Sequence, residues 1–520
     1  MLCIDVSKVV RKELKVMDNI LEVIYKRYNQ FGELYSATTV PNQYIMIQIY
    51  KEAKHYPIDI EQRIIDKEIH RMRECVGQFQ ELPVDSEFIQ PKSIFLRIYI
   101  LNIIASSIPE TFYKRIIYNA TSIVEISISI ALYYLGLQAY KYSGKEITDT
   151  EKKNIIGRTD FYFTLEELKK VRGKTTEEEL KRYLELFAQD IADISEERQI
   201  GLFMDEENPF IICIEEFLDY VIFFLEDYFK CNASEQEYSE YTDAKGEAFE
   251  ELVFKMTKEL IQESFHTLYY HPNKKQKMEI DVLFRDKDNI AVLECKSGTF
   301  NTVGLDRDEL IKLRIHNKTK KAYKTLKAVT EYLERTEEYN FESKNQKIVG
   351  HTDNPVCIHI SMYPMDFIAS NMHVMFPEYL EERNPILSLS IEHLLAMMLD
   401  AKSKNKDIFD YWKKRKKDIQ TYSGICFDNN ELDLYYEIVN EDNNTMLAEL
   451  KRQGIIDQLN PNAKLISSFH NEYGEEVRPA KEMIKTLDIC LLMNIFERGK
   501  SMFGINKRYL KNMKEYMQII

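Results

Sequence analysis

Residues 279–296 constrain the fold of this 520-residue chain more than any other stretch. They read Glu-Ile-Asp-Val-Leu-Phe, then Arg-Asp-Lys-Asp-Asn, then Ile-Ala-Val-Leu-Glu-Cys-Lys. Two apolar, β-branched runs flank five residues rich in Asp and Asn, a pattern that predicts strands over 279–284 and 290–296 joined as a hairpin. Side chains alternate across a strand, so Glu294 and Lys296 share one face while Cys295 points to the other, and the hairpin returns Asp281 toward that pair. A carboxylate interrupting a buried apolar run is costly unless it is paired or bound to a cation. The bland alternative makes Asp281 a turn residue and Glu294 with Lys296 a solvated ion pair.

Phosphodiester cleavage requires a divalent metal that polarises the phosphate and activates water, and hard cations such as Mg²⁺ prefer carboxylate oxygens. Asp281 and Glu294 are suited to that task, and Lys296 can orient water or stabilise developing charge. Together with Gly-Glu-Ala-Phe-Glu at 246–250 on an expected helix, this arrangement resembles the PD-(D/E)xK (restriction endonuclease-like) nuclease superfamily over roughly residues 240–380. The resemblance implies an α/β nuclease core, a mixed four- or five-stranded sheet flanked by helices, with one or two Mg²⁺ or Mn²⁺ ions. It also implies Glu250 as a supporting helix carboxylate, Asp281 as the central metal ligand and Glu294 as the second. The backbone carbonyl of Cys295 would complete the shell, and Lys296 would be the catalytic lysine. The residue before Asp281 is Ile280 rather than proline, and the following helix offers His316, Asn317, Lys318, Lys320 and Lys321 where several branches offer glutamine.

The core is expected between mainly α-helical regions: an N-terminal domain over 1–235, the nuclease-like domain over 236–384, and a helical C-terminal domain over 385–520. Phe217, Tyr220, Val221, Phe224 and Tyr228 recur at helical spacing. Pro209 marks a plausible helix start, and the polar residues 232–245 are the best linker candidate. A further helix is expected over about 246–264, a basic one over about 308–336, and strands near 356–363 and 371–376. Ser390 is a candidate N-cap with Glu392 in the first turn. Segments 116–140 and 211–229 carry acids or polar residues at intervals that read as soluble helices. Eight cysteines without ligand spacing suit a reducing cytosol, no secretory signal is visible, and the expected location is cytoplasmic.

A net charge of −15 excludes a surface that binds nucleic acid everywhere, so any such surface must be local. Lys312, Arg314, His316, Lys318, Lys320, Lys321, Lys324 and Lys327 form one basic stretch, from which Lys318, Lys320, Lys321 and Lys324 are the candidate phosphate contacts; an ordinary solvated helix is the alternative. A second cluster, Lys413 to Lys417 beside Tyr411 and Trp412, suits base stacking or else an amphipathic helix with Trp412 packed inward. Glu247 and Glu251 read as solvated, Glu279 as either a site residue or a partner of Lys277, and His266 and His271 as structural histidines or metal ligands.

The expected function is Mg²⁺- or Mn²⁺-dependent endonucleolytic cleavage of nucleic acid, DNA in preference to RNA, with a role in bacterial antiviral defence. No membrane partner is expected, and the N-terminal region would serve as sensor, oligomerisation surface or adaptor. The rival is a non-catalytic nucleic-acid-binding or assembly protein that keeps the nuclease fold as a scaffold.

Overall fold

The computed structural model describes residues 92–113, 122–131, 176–190, 202–205, 208–211, 214–298, 319–343, 346–352, 354–363, 385–421 and 431–439, with short stretches at 2–3, 369, 464–465, 469–470, 476–477, 483–484, 486–488 and 491. The chain divides into two compact units. One comprises Met1–Gly32, Glu81–Pro83 and Gly246–Ile484, the other Glu33–Gln80, Val84–Lys245 and Lys485–Ile520.

In the second unit, helix α1 (Ile94–Ser107) is apolar on almost every side and buried along most of its length. Its exposed-end donors are satisfied by Asp488, which accepts from the backbone of Ile94 and Phe95 at 3.0 and 3.1 Å and from Ser93 Oγ at 2.5 Å. Helix α2 (Glu177–Phe187) opens with a capping box between Thr176 and Glu179. Helix α3 (Ile214–Asn232) buries Phe217 and Val221 of the predicted stripe, leaves Tyr220, Phe224 and Tyr228 half-buried, and adds Leu218, Ile222, Leu225 and Phe229 to the core. Two of its acids are paired inside the protein: Asp219 takes Arg97 Nε at 2.8 Å and Lys92 at 2.6 Å, and Glu226 takes Lys245 and Tyr241. No helix among the described residues is long and apolar enough to cross a membrane.

Two expectations fail here. Pro209 lies inside a strand, Asn208–Ile211, rather than at a helix start, and the helix begins only at Ile214. The polar segment 232–245 is not a linker, since helix α4 runs unbroken over Glu235–Leu260. Ser234 and Glu237 form a capping box at its start, and Tyr241 and Lys245, four residues apart, bury against Glu226. Polar residues hid a helix whose buried face is aromatic and ionic instead of aliphatic. The division between the units falls inside this helix, after Lys245.

The first unit is built on a mixed sheet. Its strands are β1 (Glu263–Asn273), β2 (Gln276–Asp286), β3 (Asn289–Lys296), β4 (Tyr339–Glu342), β5 (Lys347–Gly350), β6 (Val356–Ser361) and β7 (Leu387–Ser390), in the spatial order β7-β6-β3-β2-β1-β4-β5. Seven strands replace the expected four or five, because the β4–β5 hairpin extends one edge and β7 adds a parallel strand at the other. The predicted hairpin is β2–β3, paired out to Asp286 and Asn289 around a two-residue turn in which Lys287 adopts φ 54°. Left-handed backbone in such a turn matches the twist of the flanking strands. Strand β1 was hidden in sequence by His266, Thr267 and His271; Thr267 adopts φ 53°, and the register with β2 shifts between Tyr270 and Asn273.

Helix α5 (Lys320–Arg335) buries Ala322, Tyr323, Leu326, Val329, Thr330 and Leu333 at three- and four-residue spacing and packs on β3 and β6. Beyond β7, Ser390 caps helix α6 (Ile391–Ser403) by accepting from His393 N–H, with Glu392 in the first turn, as expected. Helices α7 (Ile408–Thr421) and α8 (Glu431–Val439) follow. Strand β7 joins the sheet, and the chain through Ile484 clusters with it. The second basic cluster also takes its bland form: Trp412 is fully buried against Phe284 and Phe409, Arg415 pairs with Glu431, and Lys416 donates to Asn354 and Pro355. No base can stack on a ring held inside the core. The strand expected near 371–376 lies outside the described residues.

Candidate active site

The site begins with a fork between two strands. Strands β2 and β3 pair regularly up to Val282 and Leu293, and the next residues inward are Asp281 and Glu294. From there β2 continues beside β1, while β3 continues beside β6 as far as Lys296 opposite Ser361. Where the ladder ends, the N–H of Cys295 donates to Asp281 Oδ2 at 2.7 Å. A side-chain carboxylate therefore takes the place of a strand carbonyl, which holds Asp281 across the fork and satisfies a buried donor.

Alternation along β3 sets the remaining geometry. Glu294 and Lys296 share a face, and the Lys296 ammonium donates to Glu294 Oε1 at 2.5 Å. Glu294 is 7% and Asp281 9% exposed. Glu250, on α4, completes the group from a half-buried position. The remaining oxygens, Asp281 Oδ1 and Glu294 Oε2, accept no hydrogen bond from the described residues.

Electrostatics show how closely these groups are gathered. Burial, then Asp281, pushes the Glu250 carboxyl up to about 8, with Lys296 opposing and Glu279 and Glu294 adding. Burial and Asp281 likewise push Glu294 up to about 7 against Lys296 and Lys321. Asp281 is raised by burial, offset in part by Lys296, the Cys295 N–H and His266, and Glu279 is raised by burial and by Asp281. Burial alone would lower Lys296, yet Glu294 and then Asp281 hold its ammonium above the ordinary range. Glu250, Asp281 and Glu294 thus gather around one embedded ammonium, with Glu279 beside Asp281 and opposed by Lys277, more negative charge than the pocket ionises comfortably by itself.

That surplus fits a hard divalent cation in donor type and in charge. Among the described residues no three His, Cys, Asp or Glu side chains already stand as a ligand set. Lys296 and the Cys295 N–H each occupy one of the oxygens concerned. The fit is therefore one of donor chemistry and charge, with the lysine acting as counter-ion.

A stability prediction follows from the raised carboxyls. A group whose folded pKa lies above its unfolded value contributes fully below the unfolded pKa and loses that contribution as pH rises through the folded one. For Glu250 the window runs from about 4.5 to about 8. Glu250→Gln should match wild type near pH 4 and be more stable at pH 8.5 by about 1–2 kcal/mol, a figure reduced for screening at this partly exposed group. Urea unfolding in EDTA at both pH values measures it. An equal difference at the two would remove charge crowding as the cause.

The other singled-out residues sort clearly. Glu247 is exposed, and Glu251 pairs with Lys255 at 2.7 Å on the solvated side of α4. Lys277 lies over the Tyr269 ring at 3.7 Å, while Glu279 joins the carboxylate group electrostatically. His271 makes a structural hydrogen bond to Gln276 O at 3.0 Å. His266 stacks on Phe254, and its Nε2 is buried without a hydrogen-bond partner. Lys320, Lys321 and Lys324 are exposed on α5, and the charge of Lys321 reaches Glu294. Lys318, with 299–317, lies outside the described residues.

Sequence reasoning missed His359. It stands on β6 opposite Glu294 and bonds through Nδ1 to Ser388 Oγ on β7 at 2.8 Å. The signal was present as His359 and Ser361 alternating within the apolar run 356–361, the same device that drew attention to Glu294 and Lys296.

Residues 245–352 match the family model of NERD, the nuclease-related domain. The match spans the part of α4 that carries Glu250 and all of β1 to β5, and stops before β6. The chain thus carries a nuclease-related domain of PD-(D/E)xK-like type. The comparison with curated proteins gave no match. Among solved structures, protein VC1899 from Vibrio cholerae is similar at 13% identity over 62% of this chain and 57% of that one. Its TM-score is 0.20.

Proposed function

We propose that this chain is a nuclease that hydrolyses phosphodiester bonds of nucleic acid with Mg²⁺ or Mn²⁺. The observation that carries the reading is the surplus of buried carboxylate around Lys296 at the fork of β2 and β3. Asp281 and Glu294 would hold the ion, supported by Glu250 and the Cys295 carbonyl. When bound, the ion supplies polarisation of the phosphate and a lowered pKa for water. The chain's own residues do the rest. Asp281 is held in place by the Cys295 N–H. Lys296, on the same face as Glu294, places positive charge where the phosphate becomes more negative. Burial of the site keeps competing water out and strengthens each of these interactions.

The exposed lysines of α5 give the substrate its approach. Lys320, Lys321 and Lys324, with Lys318, would contact phosphates beside the site. Reversing Lys320 and Lys321 to Glu should weaken binding of a DNA duplex in Ca²⁺ and reduce the salt slope by about one per lost phosphate contact, without weakening Mn²⁺ binding, since the lost charge of Lys321 reaches Glu294. Unchanged affinity at low salt would assign this face to solvent.

DNA is the favoured substrate, defence against foreign DNA the favoured role, and the cytoplasm the favoured location. The unit that includes Val84–Lys245 would act as sensor, adaptor or oligomerisation surface. The ion pair between Lys296 and Glu294 also suits the rival reading, a binding scaffold without catalysis, since a lysine counter-ion satisfies Glu294 without metal. A digestion panel of single- and double-stranded DNA and RNA with Mg²⁺, Mn²⁺ or EDTA, run on wild type and Lys296→Ala, separates the two. Cleavage by wild type that EDTA abolishes supports the nuclease, and no cleavage of any substrate with either ion supports the scaffold.

A further inference from the structure

The register of the three parallel strands aligns two polar rows on the site's face. Glu294, His359 and Ser388 lie side by side across β3, β6 and β7, and Lys296, Ser361 and Ser390 form the next row. Paired residues on neighbouring strands project to the same side, so His359 is the immediate neighbour of Glu294 and lies diagonally from Lys296. Helix α5 covers this face, with Tyr323 beside the His359 ring at 6.3 Å and Thr330 against Cys357 at 3.1 Å.

A histidine only 1% exposed is held in a single orientation here. Ser388 Oγ lies 2.8 Å from Nδ1. With Nδ1–H donating to that hydroxyl, Nε2 carries an unshared pair, and it makes no hydrogen bond with the described residues. In the second row Ser361 donates to Tyr363 O at 2.6 Å, and Ser390 accepts from His393 N–H. Both serines are engaged in shaping the chain. The imidazole remains as a neutral acceptor next to Glu294.

Lys296, for its part, has a conflict to resolve. Its ammonium occupies Glu294 Oε1, the oxygen a cation would also seek. A lysine that stays there competes with the ion, and one that moves needs another acceptor within reach. We propose that His359 is a positioning residue of this site, whose imidazole, oriented by Ser388, accepts the Lys296 ammonium and so frees Glu294 for the divalent cation. This rests on the nuclease reading above and extends it to strands β6 and β7, which the family match does not reach. Burial and then the Lys296 charge keep His359 neutral, down to about 3, consistent with an acceptor and not a second cation.

The test is Mn²⁺ titration calorimetry on the full chain, for wild type, His359→Leu, His359→Gln, Ser388→Ala and Asp281→Asn, with thermal melts in EDTA alongside. Removing a group that orients a metal ligand typically costs 10–100-fold in affinity, so His359→Leu should weaken Mn²⁺ binding about 10-fold or more. His359→Gln keeps an acceptor oxygen and should stay within about threefold of wild type. Ser388→Ala, which frees the ring, should weaken binding in the same direction as His359→Leu. A purely structural histidine would lower the melting temperature in both His359 variants without separating their Mn²⁺ affinities. Wild-type affinity in His359→Leu, or equal losses for Leu and Gln, overturns this proposal alone. Should His359→Leu fail to fold, wild-type affinity in Ser388→Ala or a 10-fold loss in His359→Gln overturns it equally. A wild-type chain with no Mn²⁺ site, or one that Asp281→Asn leaves untouched, overturns the nuclease reading as well.

Discussion

Asp281→Asn and Glu294→Gln should each reduce cleavage by about 10³-fold or more, and both proteins should remain folded. Each change removes one negative charge from the donor set, and loss of a metal's several kcal/mol of charge stabilisation translates at about 1.4 kcal/mol per factor of ten. Stability should not suffer. Asparagine retains an oxygen for the Cys295 N–H, so the buried donor at the fork stays satisfied, and glutamine keeps an oxygen for the Lys296 ammonium. Crowding among Glu250, Glu279, Asp281 and Glu294 is relieved in both variants. Asp281→Ala is the harsher probe, since it strands that N–H. Single-turnover cleavage and Mn²⁺ calorimetry measure the effect, and unchanged Mn²⁺ affinity in both variants would sink the assignment of these residues.

Lys296→Ala should reduce the single-turnover rate by about 10²–10³-fold, or about 3–4 kcal/mol, while Mn²⁺ affinity does not fall. The lysine shares its strand face with Glu294, so its ammonium reaches the phosphate where charge grows as the reaction proceeds. Interactions that strengthen only in the transition state appear in the rate and not in binding. The ion pair with Glu294 adds the second half of the expectation. Its removal leaves a carboxylate without its lysine counter-ion, which favours a divalent ion in its place. Lys296→Arg should rescue poorly, because the wider, planar guanidinium spreads its charge and cannot take the place of a compact ammonium on Glu294 Oε1. Cleavage at the wild-type rate by Lys296→Ala would remove the residue from the mechanism.

The hairpin, the parity of Glu294, Cys295 and Lys296, the helical character of α3 and α5, and the Ser390 cap were legible because each depends on residues within a few positions of one another. Strand alternation and helical periodicity are properties of the local backbone, so the sequence displays them directly. The extra strands were less legible: β1 carries polar residues and a left-handed Thr267, and β7 is four residues long with no periodicity to read. The helix over 235–245 was hidden for a related reason, since its buried face carries Tyr241 and Lys245 where an aliphatic stripe would have announced it.

By itself the sequence determined which residues supply the charge of this site: Glu250, Asp281, Glu294 and Lys296, each placed by its own helix or strand. Only the tertiary structure decided how that charge is arranged. Parallel pairing sets His359 beside Glu294 from 65 residues away in the chain and Ser388 beside His359 from a further 29, as the residue numbers show. Antiparallel pairing that stops at Val282 opens the fork across which Asp281 takes the Cys295 N–H. Burial then turns four ordinary carboxylates into a set that resists ionising without a cation. The pairing of β3 with β6 and β7, and the desolvation that comes with it, join residues far apart in the chain, so no local pattern displays either one.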